Sequence, residues 1–181
     1  MRRYNLTAQM YDSRYCDEQE AKYKEALKTV VFGSNSLVLD VGCGTGMFFN
    51  FMSEKIQSAV GIDISRELLK LAKKRIKNLC NVSLVLADAD NLPFREAVFD
   101  YIFVFTVLQN MPNPTNTLRQ LQFSSKSDAN FVVTALKAVT SLEKFGQILQ
   151  RAGIRVVSLV DDEALQCYIV KGFPELKAGF E

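Results

Sequence analysis

The 181-residue chain contains no histidine and no tryptophan. Without histidine there is no His-dependent catalytic triad, no imidazole proton relay and no His-ligated metal. Its four cysteines, Cys16, Cys43, Cys80 and Cys167, form no C-x-x-C pair, which removes a zinc ribbon from within the chain. They read as reduced thiols of a cytosolic protein, packing as small apolar side chains. No apolar run reaches the ~18 residues that a membrane-spanning helix needs. The N-terminal stretch MRRYNLTAQMYDSRY also lacks the apolar core of a secretory signal. Charge of one sign is scarce in excess: 22 Lys and Arg against 20 Asp and Glu leave +2, too little to argue for nucleic acid by charge alone.

What is present is the composition of a soluble globular domain, with 48% hydrophobic and 23% charged residues. That balance excludes a disordered, collagen-like or coiled-coil chain, and the length suits one domain. Short apolar runs alternate with helical patterns. Asp17–Val31 reads as a helix that Gly33 stops. Strands are expected at Leu37–Val41, Ala59–Asp63, Val82–Ala87, Phe99–Phe105 and Phe131–Leu136. Helices are expected at Met47–Ile56, at Arg66–Asn78 under a Ser65 cap, near Thr115–Phe123, and from Ser141 to a terminating Gly153. Ile154–Val160 and Ala164–Val170 stand too close for a helical crossover and should pair as an antiparallel hairpin around Asp161-Asp-Glu163. The alternation specifies one α/β domain, a mostly parallel sheet covered on both faces.

The glycine cluster Leu39-Asp-Val-Gly-Cys-Gly-Thr-Gly46 follows the first strand and leads into a helix. Such a turn lets a ligand approach bare backbone at the carboxyl edge of the sheet. A dinucleotide fingerprint would put its third glycine at 47, but that residue is Met47 and the glycines are 42, 44 and 46. Asp40, just ahead of Gly42, would repel a pyrophosphate and would suit a cationic group such as an amino acid's ammonium. Both features oppose an NAD-dependent oxidoreductase. Asp63 ends the second strand, where an acid can accept two ribose hydroxyls. Asp88 ends the third, in Ala87-Asp-Ala-Asp-Asn-Leu-Pro-Phe94, where a carboxylate can accept an exocyclic amino group. Taken singly, Asp63 and Asp88 read equally as caps of strand-to-helix turns. Asp88 and Asp90 could suggest a metal pair, but no further acidic or histidine ligand accompanies them, so no metal is expected.

VLDVGCGTG, GIDIS, ADADNLPF and FDYIFVFTVLQNMPNP, in this order and spacing, resemble the class I S-adenosylmethionine-dependent methyltransferases, in particular the small ubiquinone-biosynthesis-like branch. The resemblance covers roughly Leu37 to Val170. It implies a Rossmann-like, doubly wound sheet of seven strands in the order 3-2-1-4-5-7-6, strand seven antiparallel. It also implies S-adenosylmethionine as cofactor, with S-adenosylhomocysteine as product. Carried over residue by residue, Asp40, Gly42, Gly44 and Gly46 would line the methionine part, with Cys43 in the same loop. Asp63 would hold the ribose with Ile64 beside it, Asp88 the adenine amino group, and Ala89 would offer its N–H. Phe105 and Thr106 would lie near the sulfonium. Tyr11 and Tyr15 match a YD…Y pattern of that branch's N-terminal lid, or simply pack that segment on the domain. The whole of 1–181 would then be one methyltransferase domain, 1–35 the N-terminal lid and helix and 36–181 the catalytic core.

With the three carboxylates given to the cofactor, no strong base remains, which fits an acceptor that is already nucleophilic. Methyltransferases acting on exocyclic adenine nitrogens or amides carry an N/D-P-P-aromatic motif directly after strand four. Here Asn110-Met-Pro112 comes too late and lacks the second proline. With only Lys137-Ala-Val-Thr140 between strand five and its helix, an open site suits a macromolecular acceptor, RNA or protein. A small metabolite, or a catalytically silent cofactor-binding partner subunit, are the alternatives. Arg66, Lys70, Lys73 and Lys77 share one helix face, read as a solvated surface or as an RNA-facing patch. The expected edge strand, Val82–Ala87, carries no charge or proline. The resemblance makes a small zinc-ribbon activator pairing at 82–87 plausible. The protein is expected in the cytoplasm, away from the membrane.

Overall fold

The computed structural model describes residues 17–175. Seven strands form one sheet: β1 (Leu37–Val41), β2 (Ser58–Asp63), β3 (Val82–Leu86), β4 (Phe99–Val104), β5 (Ser125–Leu136), β6 (Ile154–Val160) and β7 (Cys167–Pro174). Their order is 3-2-1-4-5-7-6. The first five run parallel, while β7 pairs antiparallel with both β5 and β6. The expected fold is therefore the observed one, a doubly wound α/β sheet.

The pleat sends alternate side chains to opposite faces. Val38, Tyr101, Phe103 and Val132 face a layer made by α1 (residues 17–28) and α2 (Phe49–Met52), with Tyr23, Ala26, Phe48 and Phe49 in the core. Leu39, Ile102, Val104, Phe131 and Val133 face α4 (Pro114–Ser124) and α5 (Leu142–Ala152), whose Leu118, Leu121, Phe145 and Leu149 fill the other side. Between β2 and β3 lies α3 (Arg66–Arg75), capped by Ser65 Oγ on Leu68 N.

Among the boundaries that differ from the sequence expectation, four have a visible cause. The helix expected over Met47–Ile56 is only one α-turn followed by a 3₁₀ turn, Ser53–Lys55. It has no side-chain cap, and Asn81 Nδ2 takes up the Ser53 and Ile56 carbonyls at its broken end. α3 stops at Arg75, because Ile76 drops into the core and starts the turn toward β3. β5 begins six residues early, its polar first half tied down by Lys126 Nζ donating to Asp100 Oδ1 at 2.6 Å. β7 starts three residues late because the hairpin turn is larger than expected. There Ala164 N donates to Asp162 Oδ1 and Leu165 N to Asp162 O.

The candidate site at the carboxyl edge of the sheet

β1, β2 and β3 are adjacent parallel strands, so the residues that end them come together. Each of Gly42, Gly44 and Gly46 has positive φ, at 68°, 57° and 74°. At Gly42 the need is also steric, since a Cβ would lie 2.5 Å from Val107 Cγ2. The loop therefore turns sharply over the end of β1 and presents backbone to two adjoining cavities.

The larger, about 790 Å³ including its open mouth, is lined by Gly42, Gly44, Asp63, Ile64, Asp88, Ala89, Phe105, Thr106, Asn110 and Met111 among others. The smaller, about 440 Å³, is lined by Gln19 and Tyr23 of α1, Asp40, Cys43, Thr45, Met47 and the same Phe105 and Thr106. Gly42, Gly44, Phe105 and Thr106 are common to both, so the two form one cleft bent around the glycine loop. Of the residues singled out from sequence, Asp40, Gly42, Cys43, Gly44, Asp63, Ile64, Asp88, Ala89 and Phe105 are brought together there. Gly46 lies behind the loop against Ala72 of α3. The Cys43 side chain packs toward Gly61 of β2, so this residue borders the cleft while its thiol belongs to the core. Tyr11 and Tyr15 lie outside the described residues.

The three carboxylates have different surroundings. Asp63 Oδ1 accepts from Ser65 N at 2.7 Å and Oδ2 from Gly44 N at 2.9 Å. Burial raises its pKa, and those backbone donors oppose the rise. Asp88 Oδ1 accepts from Asp90 N, and Asp90 turns away to take the Thr117 hydroxyl at 2.5 Å. Asp90 thus does not join Asp88 as a pair. Asp40 is buried on the central strand, and its Oδ1 has no hydrogen-bond partner among the described residues. Burial, with a smaller contribution from Asp63, pushes its pKa up to about 8. An unpartnered carboxylate oxygen in a cavity wall is a costly arrangement that a bound cation relieves. The ammonium of a methionine-derived cofactor has that chemistry, and Asp63 keeps lone pairs for two ribose hydroxyls. The residues present fit S-adenosylmethionine.

Thr106 stands where the cavities meet, in a left-handed conformation with φ 54°. It is held on every side. Its N–H donates to Thr134 Oγ1 at 2.8 Å and its carbonyl accepts from Gln109 Nε2 at 2.5 Å. Its hydroxyl lies 3.4 Å from Nζ of Lys22, a fully buried lysine on α1. Burial lowers the Lys22 pKa against the opposing charge of Glu18, whose carboxylate is 3.7 Å away. Sequence reasoning missed the α1 wall, Gln19 and Tyr23, and also Val107 and Met111. For Met111 a signal exists, since it lies within Asn110-Met-Pro112, the displaced form of an acceptor motif.

A family model described as a methyltransferase domain matches residues 38–128, half of the chain. Demethylmenaquinone methyltransferase of Staphylococcus saprophyticus is 35% identical over 101 residues, covering 54% of this chain and 43% of that protein. The chain thus spans less than half the length of that curated relative. A SAM-dependent methyltransferase from Aquifex aeolicus is 25% identical, with a TM-score of 0.73 over 83% of this chain and 88% of its own. The Haloferax volcanii chain solved in complex with the Trm112 methyltransferase activator has the same fold. It gives a TM-score of 0.81 at 17% identity, over 95% of this chain and 97% of its own.

Proposed function

Since the chain belongs to the methyltransferase-domain family, we propose that it transfers the methyl group of S-adenosylmethionine to an acceptor that is already nucleophilic. The family and fold imply that cofactor. The observation that carries the reading is the cleft itself, with Asp40 on β1, Asp63 ending β2 and Asp88 just past β3, around a loop of left-handed glycines. When bound, the cofactor supplies an activated methyl group on a positive sulfur. The chain's part is to bind and orient. Asp40 takes the ammonium, Asp63 the ribose hydroxyls, and Asp88 with the Ala89 N–H the adenine edge. Ile64 and Met111 give the ring apolar walls, and Thr106 with Phe105 forms the wall where the two cavities join. With no histidine in the chain and its cleft carboxylates committed to the cofactor, the acceptor must bring its own lone pair, as a ring nitrogen, amine, thiolate or carboxylate does.

For the acceptor we favour a macromolecule, RNA or protein. The β5–α5 connection is only residues 137–141, so no inserted element covers the cleft from that side. Residues 1–35, with Tyr11 and Tyr15, would serve as a lid on a core of 36–181. The Staphylococcus relative, a demethylmenaquinone methyltransferase, favours the second reading, a small metabolite. A catalytically silent cofactor-binding subunit is the third. A small zinc-ribbon activator would add a strand at the β3 edge, where Leu86 is 50% exposed; the Haloferax chain, solved with an activator protein, supports a partner as such. Among the described residues no helix is long and apolar enough to cross a membrane, and Cys43, Cys80 and Cys167 are unpaired, which supports a reducing, cytoplasmic location.

Calorimetry should detect S-adenosylhomocysteine and no NAD. Incubation with labelled S-adenosylmethionine and fractionated RNA, protein and metabolite pools then identifies the acceptor class. Tight NAD binding without any response to S-adenosylhomocysteine overturns the reading.

A further inference from the structure

Helix α3 touches the glycine loop at three levels. At its N-terminus, Ser65 and Gly44 share the Asp63 carboxylate. Midway, Ala72 lies so close to Gly46 that a Cβ there would come within 3.1 Å of the alanine's. In its last turn, Arg75 Nη1 donates to Thr45 O at 2.9 Å and to Thr45 Oγ1 at 2.6 Å. Thr45 is buried and lines the smaller cavity, where Asp40 stands, and it is absent from the wall of the larger one.

We propose that Arg75 is a positioning residue for the amino-acid half of the cofactor, acting through Thr45. The inference rests on the cofactor reading above. Three left-handed glycines within five residues give the loop wide conformational freedom, and any ligand that needs one shape of it must offset that entropy. Asp63 fixes Gly44 beside the ribose site. Arg75 does the same one residue further on, drawing the Thr45 carbonyl and hydroxyl outward and so holding Gly44–Gly46 against the methionine cavity. The two devices sit at opposite ends of one helix and serve adjoining parts of one ligand, the ribose and the amino acid. Arg75 also stands apart from the basic face of α3, formed by Arg66, Lys70 and Lys73, while Lys77 lies in the turn beyond it. Its neighbours Lys73 and Lys74 are exposed, whereas Arg75 is half-buried.

The test compares S-adenosylhomocysteine with 5′-methylthioadenosine, which lacks the amino-acid end, by calorimetry on the unaltered protein, Arg75→Ala and Arg75→Lys. Arg75→Ala should bind S-adenosylhomocysteine roughly tenfold more weakly, the loss of about one charge-assisted hydrogen bond. Its affinity for 5′-methylthioadenosine should stay unchanged, and Arg75→Lys should fall between. Amide exchange at 44–46 in the ligand-free protein should be faster in Arg75→Ala. An equal loss for both ligands would reduce Arg75 to a support of α3 and overturn the proposal. So would unchanged affinity for S-adenosylhomocysteine in a variant whose loop exchange is also unchanged. If Arg75→Ala does not fold, the ratio of the two affinities in Arg75→Lys decides, and an unaltered ratio refutes. An unaltered protein that binds neither ligand would overturn the cofactor reading itself, and the inference with it.

Discussion

Replacing Asp63 separates binding from bracing, because the structure assigns its carboxylate to both. Each oxygen already accepts one backbone N–H, from Ser65 at 2.7 Å and from Gly44 at 2.9 Å. A carboxylate oxygen accepts about two hydrogen bonds, so one site per oxygen remains for the two ribose hydroxyls. In Asp63→Ala the charge-assisted acceptance of those hydroxyls is lost, which costs roughly 1.5–3 kcal/mol, or about ten- to a hundredfold in affinity. The Gly44 and Ser65 N–H groups are also stranded, which costs the ligand-free fold about 1–3 kcal/mol and lowers Tm by a few degrees per kcal/mol. Asp63→Asn keeps the volume but turns an NH₂ toward one of those N–H groups, so it should lose nearly as much affinity. Calorimetry with S-adenosylhomocysteine reads the first effect and thermal melting the second, with exposed Lys73→Ala as a control that moves neither. If both Asp63 variants melt lower yet bind S-adenosylhomocysteine as the unaltered protein does, the carboxylate is only a brace and the ribose assignment is refuted.

Four further outcomes are expected. Asp40, raised from its ordinary value to about 8, contributes stability to the ligand-free fold that is full below pH ~4 and is lost as pH rises toward 8, so Asp40→Asn should flatten the stability profile across that window. An ammonium selects the ionised form, so at pH 6–7 S-adenosylhomocysteine binding should release close to one proton, seen as a heat that varies with buffer ionisation enthalpy; a buffer-independent heat refutes the pairing. Gly42→Ala meets both a φ of 68° and Val107 Cγ2 at 2.5 Å, so it should abolish measurable cofactor binding and destabilise by at least ~1–2 kcal/mol, with Val107→Ala restoring only the steric share. At the β3 edge, the 82–87 amides should gain exchange protection when an activator binds, while a stable monomer already protected there would argue against any strand-adding partner.

Where the sequence could be read and where it could not follows from the range of the interactions involved. Strands that end in Asp40, Asp63 and Asp88 announce themselves because parallel strands are apolar runs and the sheet edge is where polar residues resume. The glycine spacing is equally local. The α1 wall is not: Gln19 and Tyr23 meet Phe105 and Thr106 across more than eighty residues, and no periodicity says which helix face closes a cavity. Nothing in the residue pattern of α1 distinguishes Lys22 from a solvated helix lysine, yet it is fully buried beside Thr106. Thr106 itself gives no hint of a left-handed backbone, a conformation held by contacts from three separate elements. The first half of β5, Ser125–Asn130, reads as a polar loop because only Ser125 and Ala129 of it are buried, with the Lys126–Asp100 contact supporting its pairing with β4.

The placement of three carboxylates on consecutive strands turns the sheet into a ruler. Neighbouring strands stand about 4.8 Å apart, a spacing set by backbone hydrogen bonds that no side-chain substitution alters. Asp63 lies one strand over from Asp40 and two residues further along, and Asp88 one strand over from Asp63 and two residues further again, so the three mark fixed stations on an oblique line. A molecule that touches all three must carry its cationic, hydroxyl-bearing and amino-bearing groups at that pitch. Changing the residue at one station can alter which group is accepted there, but it cannot shorten the span. Selection among nucleoside-like ligands thus has two independent parts, a chemical one that mutation tunes station by station and a metric one fixed by the strand order. An analogue trimmed or lengthened between ribose and ammonium would lose contact at one end, however well the other end were matched.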